Sequence, residues 1–293
     1  MNKPDLSFLA PYRTRVEQQL QSHLRDCRAP EKLRQAIEYS LFNGGKRIRP
    51  VLAYATAEVL GSESSQVDSA ACAVELIHTY SLIHDDLPSM DDDSLRRGKP
   101  STHVAFDEAT AILAGDALQA MAFELLSTAS QPAHIVVQMI QELARASGAE
   151  GMVGGQMIDL ESEKVQIDAA TLETMHQHKT GALIKASVGL AALCCDHTPH
   201  QLDHLDRFAH NIGLAFQVRD DILDVECSEE VMGKRQGADG HLGKSTYVSL
   251  HGMQGARTKL GEFYEASITS LQPLGPAARQ LTSLADFVVN RSL

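Results

Sequence analysis

Apolar residues recur along this chain at intervals of three and four, the period of an α-helix with one buried face. Leu33, Ala36, Ile37, Ser40 and Leu41 mark such a face, with Pro30 suited to the first turn and Asn43-Gly44-Gly45 ending it. A longer helix is predicted from Val67 to Asp86, with Ala70, Ala71, Val74, Ile77, Ser81 and Leu82 inward. Pro88 stops it, and Leu87 before the proline is already biased out of the helical region. Thr110–Thr128, Ala133–Gly148, Thr171–Cys194 and Leu202–Asp224 carry the same period. No set of alternating or β-branched runs bounded by turn residues is present, so a sheet is not expected. No short repeat or low-complexity segment interrupts the pattern, and the segment 226–244, rich in Gly and charge, reads as a loop between two helical regions. The expectation is an all-α helical bundle formed by a single domain over residues 1–293.

With 293 residues, 43% of them hydrophobic, the chain has ample material for a large core. The longest apolar run, 186–195, has ten residues and includes Ser187 and Gly189. That is short of the roughly 18 needed to span a bilayer. The first twenty residues contain no apolar stretch of the secretory type. Five cysteines (27, 72, 194, 195 and 227) make neither an even disulfide framework nor a CxxC zinc spacing, which points to a reducing, cytoplasmic setting. Cys194 and Cys195 read as core residues.

The formal net charge is −12. So acidic a body is a poor surface for nucleic acid or for an anionic membrane. If the substrate is an anion, something must invert the local charge, and a divalent metal is the obvious means.

Chemistry concentrates in three places. The first is His84-Asp85-Asp86-Leu87-Pro88-Ser89-Met90-Asp91-Asp92-Asp93, with five carboxylates between 85 and 93. A charge run is ordinarily a solvated loop. This one ends an apolar helix, where clustered negative charge opposes the helix dipole, and Arg96, Arg97 and Lys99 follow at once. A cation would offset the repulsion, but the ligand alternation of a calcium-binding EF-hand is absent. The second is Asp220-Asp221-Ile222-Leu223-Asp224. Asp220 and Asp224 share a helix face, with Gln217 one turn earlier. Alone this is a common surface pattern, but Phe216, Val218, Ile222 and Leu223 make it part of a mostly buried helix. Our hypothesis from the sequence is that the two clusters face each other across a bundle cavity and hold Mg²⁺ between hard oxygen ligands. The third is Gly44-Gly45-Lys46-Arg47-Ile48-Arg49-Pro50, three cations leaving a glycine turn. The plain reading is a helix C-cap, and the functional one is a metal-free anion site, for which Arg's fork and the Lys point charge are suited.

Two patterns fail. The segment 238–245, ADGHLGKS, approaches the phosphate-binding P-loop, but a P-loop follows a strand, and here a helix and a charged loop precede it. His176 and His178, two apart on a helix, point to different faces, and no HExxH zinc motif is present.

Taken together these motifs resemble those of the trans-isoprenyl diphosphate synthases. Asp85-Asp86-x₄-Asp91 with Arg96-Arg97-Gly98 resembles that family's first aspartate-rich motif, and Asp220-Asp221-x-x-Asp224 its second. Gly44-Gly45-Lys46-Arg47-x-Arg49-Pro50, Gly155-Gln156-x-x-Asp159-Leu160, Lys179-Thr180, Phe216-Gln217, Gly233-Lys234 and Gly243-Lys244-Ser245 follow in the family's order, from about residue 30 to about residue 250. The four-residue gap in the first motif is similar to that of the bacterial farnesyl diphosphate synthases.

The resemblance implies a cytoplasmic, homodimeric all-α prenyltransferase with a deep central cavity. It would join isopentenyl diphosphate to dimethylallyl and geranyl diphosphate, giving farnesyl diphosphate. Geranyl or geranylgeranyl diphosphate as the product is the alternative, and a class I terpene cyclase or an inactive partner subunit fits less well. It implies three Mg²⁺ with substrate bound, held by Asp85, Asp86, Asp91, Asp220, Asp221 and Asp224. Arg96, Lys179, Lys234 and Lys244 would contact the allylic diphosphate. Lys46, Arg49, His78 and Arg97 would hold isopentenyl diphosphate, while Thr180 and Gln217 flank the carbocation. Tyr80, five residues or about 7.5 Å before Asp85 on the helix, would be the floor that limits chain length, beside the small Ser81. The loop 226–244 would close over substrate and exclude water. With a single cation in Asn290-Arg291-Ser292-Leu293, the C-terminus is left out of the expected site.

Overall fold

The computed structural model describes residues 7, 9–163, 165–226 and 244–291. Among these the chain is helical nearly throughout, as the periodicity predicts. The helices are α1 (Leu9–Arg25), α2 (Glu31–Leu41), α3 (Ile48–Val59), α4 (Asp68–Asp85), α5 (Thr102–Ala105), α6 (Glu108–Ser127) and α7 (Ala133–Ser147). They continue with α8 (Met152–Glu161), α9 (Ala169–His176), α10 (Ala182–Leu193), α11 (Pro199–Glu226), α12 (Tyr247–Leu271) and α13 (Arg279–Asn290). The strand structure among the described residues is one two-residue pair, Leu95–Arg96 against Lys99–Pro100, antiparallel, which no pattern in the sequence announces.

Helix ends follow local chemistry. Asp107 caps α6 by accepting from the Thr110 amide, and Thr246 and Ser249 form a reciprocal capping box on α12. The predicted helix 171–194 is interrupted by a wide π turn, Gln177–Gly181, between α9 and α10. Glycines set the approach of neighbours to that turn. A Cβ on Gly155 of α8 would lie 2.1 Å from the Lys179 amide nitrogen, and one on Gly213 of α11 would lie 3.2 Å from Gly181 Cα. The backbone carrying Lys179 and Thr180 is therefore clamped between α8 and α11.

Two apolar cores form, and α3 and α10 serve both. Leu183, Ala186 and Leu190 of α10 face the first core, with α1, α2, α4, α6 and α7, while Ile184 and Val188 face the second, with α9, α11, α12 and α13. That is why the ten-residue apolar run belongs to α10: the helix is buried all round. Helix α6 has a mean hydropathy of 1.3 over a span-length window and is the one described helix long and apolar enough to cross a membrane. It packs on α4 with Ala111, Ala114, Leu118 and Ala122 buried, and leaves Ile112 and Leu113 exposed. Cys27, Cys72, Cys194 and Cys195 are free thiols, the last three buried. Cys227 lies outside the described residues.

Candidate active site

The inward face of α4 turns from core to cavity along its length. Ala70, Ala71, Val74 and Ile77 are sealed in the core. Tyr80, Ser81, Leu82, His84 and Asp85 line a cavity of about 680 Å³. The opposite walls come from α8 (Met152, Gln156, Leu160), the π turn (Lys179, Thr180) and α11 (Phe216, Gln217, Asp220). Asp85 and Asp220, one from each aspartate motif, thus face a common space, and Tyr80, only 5% exposed, is part of its lining.

A second cavity of about 560 Å³ adjoins the first. Its wall is the turn Asn43–Arg49 with Glu75, His78, Arg97 and Phe216. Arg49, His78 and Phe216 belong to both linings. Lys46, Arg49, His78 and Arg97 are therefore brought together as the motif predicts. Burial pulls the Arg49 guanidinium down to about 10, and its Nε is buried with no hydrogen-bond partner. Burial likewise pulls the Lys46 ammonium down to about 8, assisted by Arg291. His78 is held neutral well below its usual range by burial and by Arg49, Arg97, Arg96 and Arg47 around it. A desolvated cationic pocket with an orphaned guanidinium nitrogen is built for an anion. Arg97 reaches it by donating to the Gly44 carbonyl, and Gly45 leaves the room: a Cβ there would be 2.6 Å from the Arg97 guanidinium carbon.

The acidic residues have distinct surroundings. The Asp91 amide donates to the Asp85 carbonyl at 2.9 Å, folding the loop after α4 back on its end. Burial pushes the Asp85 carboxyl up to about 6, with Asp91 and Asp86 reinforcing and Lys179 and Arg96 opposing. Asp86 is buried and gripped by Arg96, whose Nε lies 2.9 and 3.2 Å from its two oxygens. Asp221 is buried and accepts the Tyr247 amide at 2.7 Å, fixing the start of α12, with His176 Nε2 3.9 Å away. Asp224 is part-buried one turn further along α11. Lys179 donates to Asp159 at 2.6 Å, and Lys244 donates to Asp91 at 3.2 Å and Asp159 at 3.3 Å. Despite its own burial, Asp159 is kept below the usual carboxylate range by these two lysines. His176 and His178 diverge as expected: His176 is buried against Tyr247, and His178 bonds back to the Thr174 carbonyl. Lys234, Gly233 and Gly243 lie outside the described residues, as do all of residues 227–243, on which the expectation of a closing loop falls.

No three His, Cys, Asp or Glu side chains gather as a ready metal cage among the described residues. The donor chemistry still fits a hard divalent cation. Asp85 and Asp220 are carboxylates facing one cavity, and each already draws cationic charge, Asp85 from Lys179 and Asp220 from Arg291.

Sequence reasoning missed three residues. Arg47, inside the basic motif, is engaged at the wall of the second cavity in a buried pair with Glu75, Nη1 to Oε1 2.6 Å, and Glu75 carried no signal beyond being an acid in an apolar helix. Arg291, set aside with the C-terminus, is buried, stacks on the Phe216 ring at 3.8 Å and bonds Asp220 at 2.7 Å. Asp159 was visible only as part of a motif.

The geometry agrees with what known proteins resemble this chain. It is 50% identical over 265 residues to farnesyl diphosphate synthase of Escherichia coli, covering 88% of this chain and 89% of that one. A crystal structure of a geranyltransferase from Legionella pneumophila superposes with a TM-score of 0.88 at 38% identity, covering 98% of this chain and 97% of the other. An FPP/GFPP synthase from Zymomonas mobilis superposes with a TM-score of 0.82 at 39% identity, over 96% and 99%. Residues 30–273 match the model of the polyprenyl synthetase family, and the chain belongs to that family.

Proposed function

We propose that this chain condenses isopentenyl diphosphate with dimethylallyl and then geranyl diphosphate, releasing farnesyl diphosphate and diphosphate. The observation that carries the reading is the pair of joined cavities. One is lined by Lys46, Arg49 and Arg97, the other by Asp85 and Asp220 together with apolar side chains, and Arg49, His78 and Phe216 belong to both linings. Two diphosphates held apart with their carbon chains meeting need that arrangement. A terpene cyclase, with one diphosphate, has no use for the basic cavity.

In the first half-reaction the C1–O bond of the allylic substrate breaks and diphosphate leaves with the electron pair. Mg²⁺, held by Asp85 and Asp220 with Asp91 and Asp224 nearby, would neutralise charge on that leaving group. Asp86 and Asp221 belong to the same shell in our reading, although in this structure they are engaged by Arg96 and the Tyr247 amide. Lys179 and Lys244, gathered on Asp159, supply further positive charge to the departing oxygens. The isopentenyl double bond then attacks C1, and the new cation loses a proton. Thr180 and the Gln217 amide, lining the cavity above Tyr80, present oxygens to the cationic carbon. The departed diphosphate is the base at hand. Tyr80 stops the growing tail, which sets fifteen carbons as the main product.

We also place the enzyme in the cytoplasm as a homodimer, a reading supported by the free thiols among the described residues and by the exposed Leu113 on α6. The test is incubation with isopentenyl and dimethylallyl diphosphates plus Mg²⁺, with and without EDTA, with products sized by mass spectrometry. Metal-dependent appearance of a C15 diphosphate is expected. No elongated product, or elongation untouched by EDTA, would remove the proposal.

A further inference from the structure

Between Asp85 and the Tyr80 floor, the wall of the large cavity contains a ring parked in a glycine notch. Tyr80 and His84 lie one helical turn apart on α4, and their rings meet edge to face, centroids 5.6 Å apart at 81°. His84 Nε2 donates to the Ile112 carbonyl of α6 at 3.1 Å, with Asp116 4.0 Å away. The imidazole occupies the space in which residue 115 would carry a side chain. A Cβ on Gly115 would sit 2.2 Å from His84 Nε2, 2.6 Å from Cδ2 and 2.9 Å from Cε1. Gly115 lies within α6 without the positive φ that favours glycine, so backbone conformation does not require it. Glycine inside a helix is destabilising by about 1 kcal/mol relative to alanine. What glycine provides here is room.

Helical side chains lean toward the N-terminus of their helix, so the His84 ring lies over the turn that carries Tyr80. Both residues line the cavity. We propose that Gly115 is a specificity-determining positioning residue: it holds the His84 ring against α6 and out of the lumen, so that the product tail reaches Tyr80. Any side chain at 115 turns the ring into the channel above the floor and shortens the product. This deepens the prenyl-elongation reading and rests on it.

The test compares the parent enzyme with Gly115→Ala and with Gly115→Ala/His84→Ala. Each is supplied with isopentenyl and dimethylallyl diphosphates and Mg²⁺, and products are sized by mass spectrometry. For Gly115→Ala the ratio of C10 to C15 should rise about tenfold, equivalent to a 1.4 kcal/mol change in partition. The double variant, with no ring to expel, should return to the parent ratio. A Gly115→Ala chain that unfolds while the double variant folds would report the same clash. An unchanged ratio in Gly115→Ala, a shortened product that persists in the double variant, or unfolding of both overturns the notch. A parent enzyme that forms no elongated product overturns instead the reading beneath it.

Discussion

Replacing Glu75 by alanine removes the partner of a cation that has no access to water. Arg47 stands at the start of α3 with a left-handed φ of 55°, and its side chain is fully buried. It bonds Glu75 at 2.6 Å, the Leu41 carbonyl, and Glu17 at 3.4 Å. Only Glu75 of these is a buried counter-charge, 2% exposed. Breaking such a pair costs about 3–5 kcal/mol, because the remaining charge is stranded. A chain of this length has an unfolding entropy near 0.6 kcal/mol per degree, so the melting temperature should fall by about 5–8 °C, read by calorimetry. The same turn presents Lys46 and Arg49, so KM for isopentenyl diphosphate should rise about tenfold, with product length unchanged. Replacing both partners, Arg47→Met with Glu75→Leu, should recover more than half of the lost stability, since apolar substitutes for a buried pair are often neutral. A fall under about 2 °C, or the full loss of stability with KM unmoved, would refute the assignment of Arg47 as the anchor of the basic turn.

Three further outcomes are expected. Lys46 loses its charge as pH rises through about 8, so KM for isopentenyl diphosphate should climb above that pH, and Lys46→Arg should flatten the profile. Because the folded value lies below that of a free lysine, the unfolded chain holds more protons between the two and stability from this group rises with pH there, so the linkage of Lys46 itself does not oppose folding as KM climbs. Tyr80→Ala should lengthen products towards C20 and Ser81→Phe shorten them to C10, and parent-length product from both would put the floor elsewhere. Arg291→Ala should lower stability by about 1–3 kcal/mol through loss of its Asp220 bond and its stacking on Phe216, and an unchanged urea midpoint would contradict that.

Helices with one wet face were legible in the sequence: α2, α6, α7 and α11 fall close to their predicted ranges, and α4, which has no exposed residue, was legible from the acidic run and Pro88 that end it. Helix α3 was not, because residues 50–57 are buried on every side and leave no periodic contrast. The π turn at 177–181 was hidden inside an unbroken helical pattern, and the glycines that let α8 and α11 pack against it lie far from it in sequence. The spacing of the acids and cations brought Asp85, Asp220, Lys179 and Gln217 to one cavity as expected. It could not tell that Asp86 would be claimed by Arg96, nor that Arg47 would be held in a buried pair with Glu75 beside Lys46 and Arg49 in the pocket wall. Those assignments depend on Glu75, 28 residues from Arg47, and on the β-pair that turns Arg96 back onto Asp86, and packing decides both positions. Most of the P-loop-like segment, 238–243, lies outside the described residues, and Lys244 at its end faces Asp91, Asp159 and Glu163.

The meeting of two distant aspartate motifs around one metal is tested most directly by Mg²⁺ affinity in the presence of inorganic diphosphate, measured by calorimetry. The parent would be compared with Asp85→Asn, Asp220→Asn and the double variant. Each single change should weaken Mg²⁺ by more than about tenfold. The double change should add far less than the sum of the two, because ligands of one shared site couple. Two strictly additive losses, or wild-type affinity in either single variant, would mean that the carboxylates on α4 and α11 share a cavity without sharing a metal.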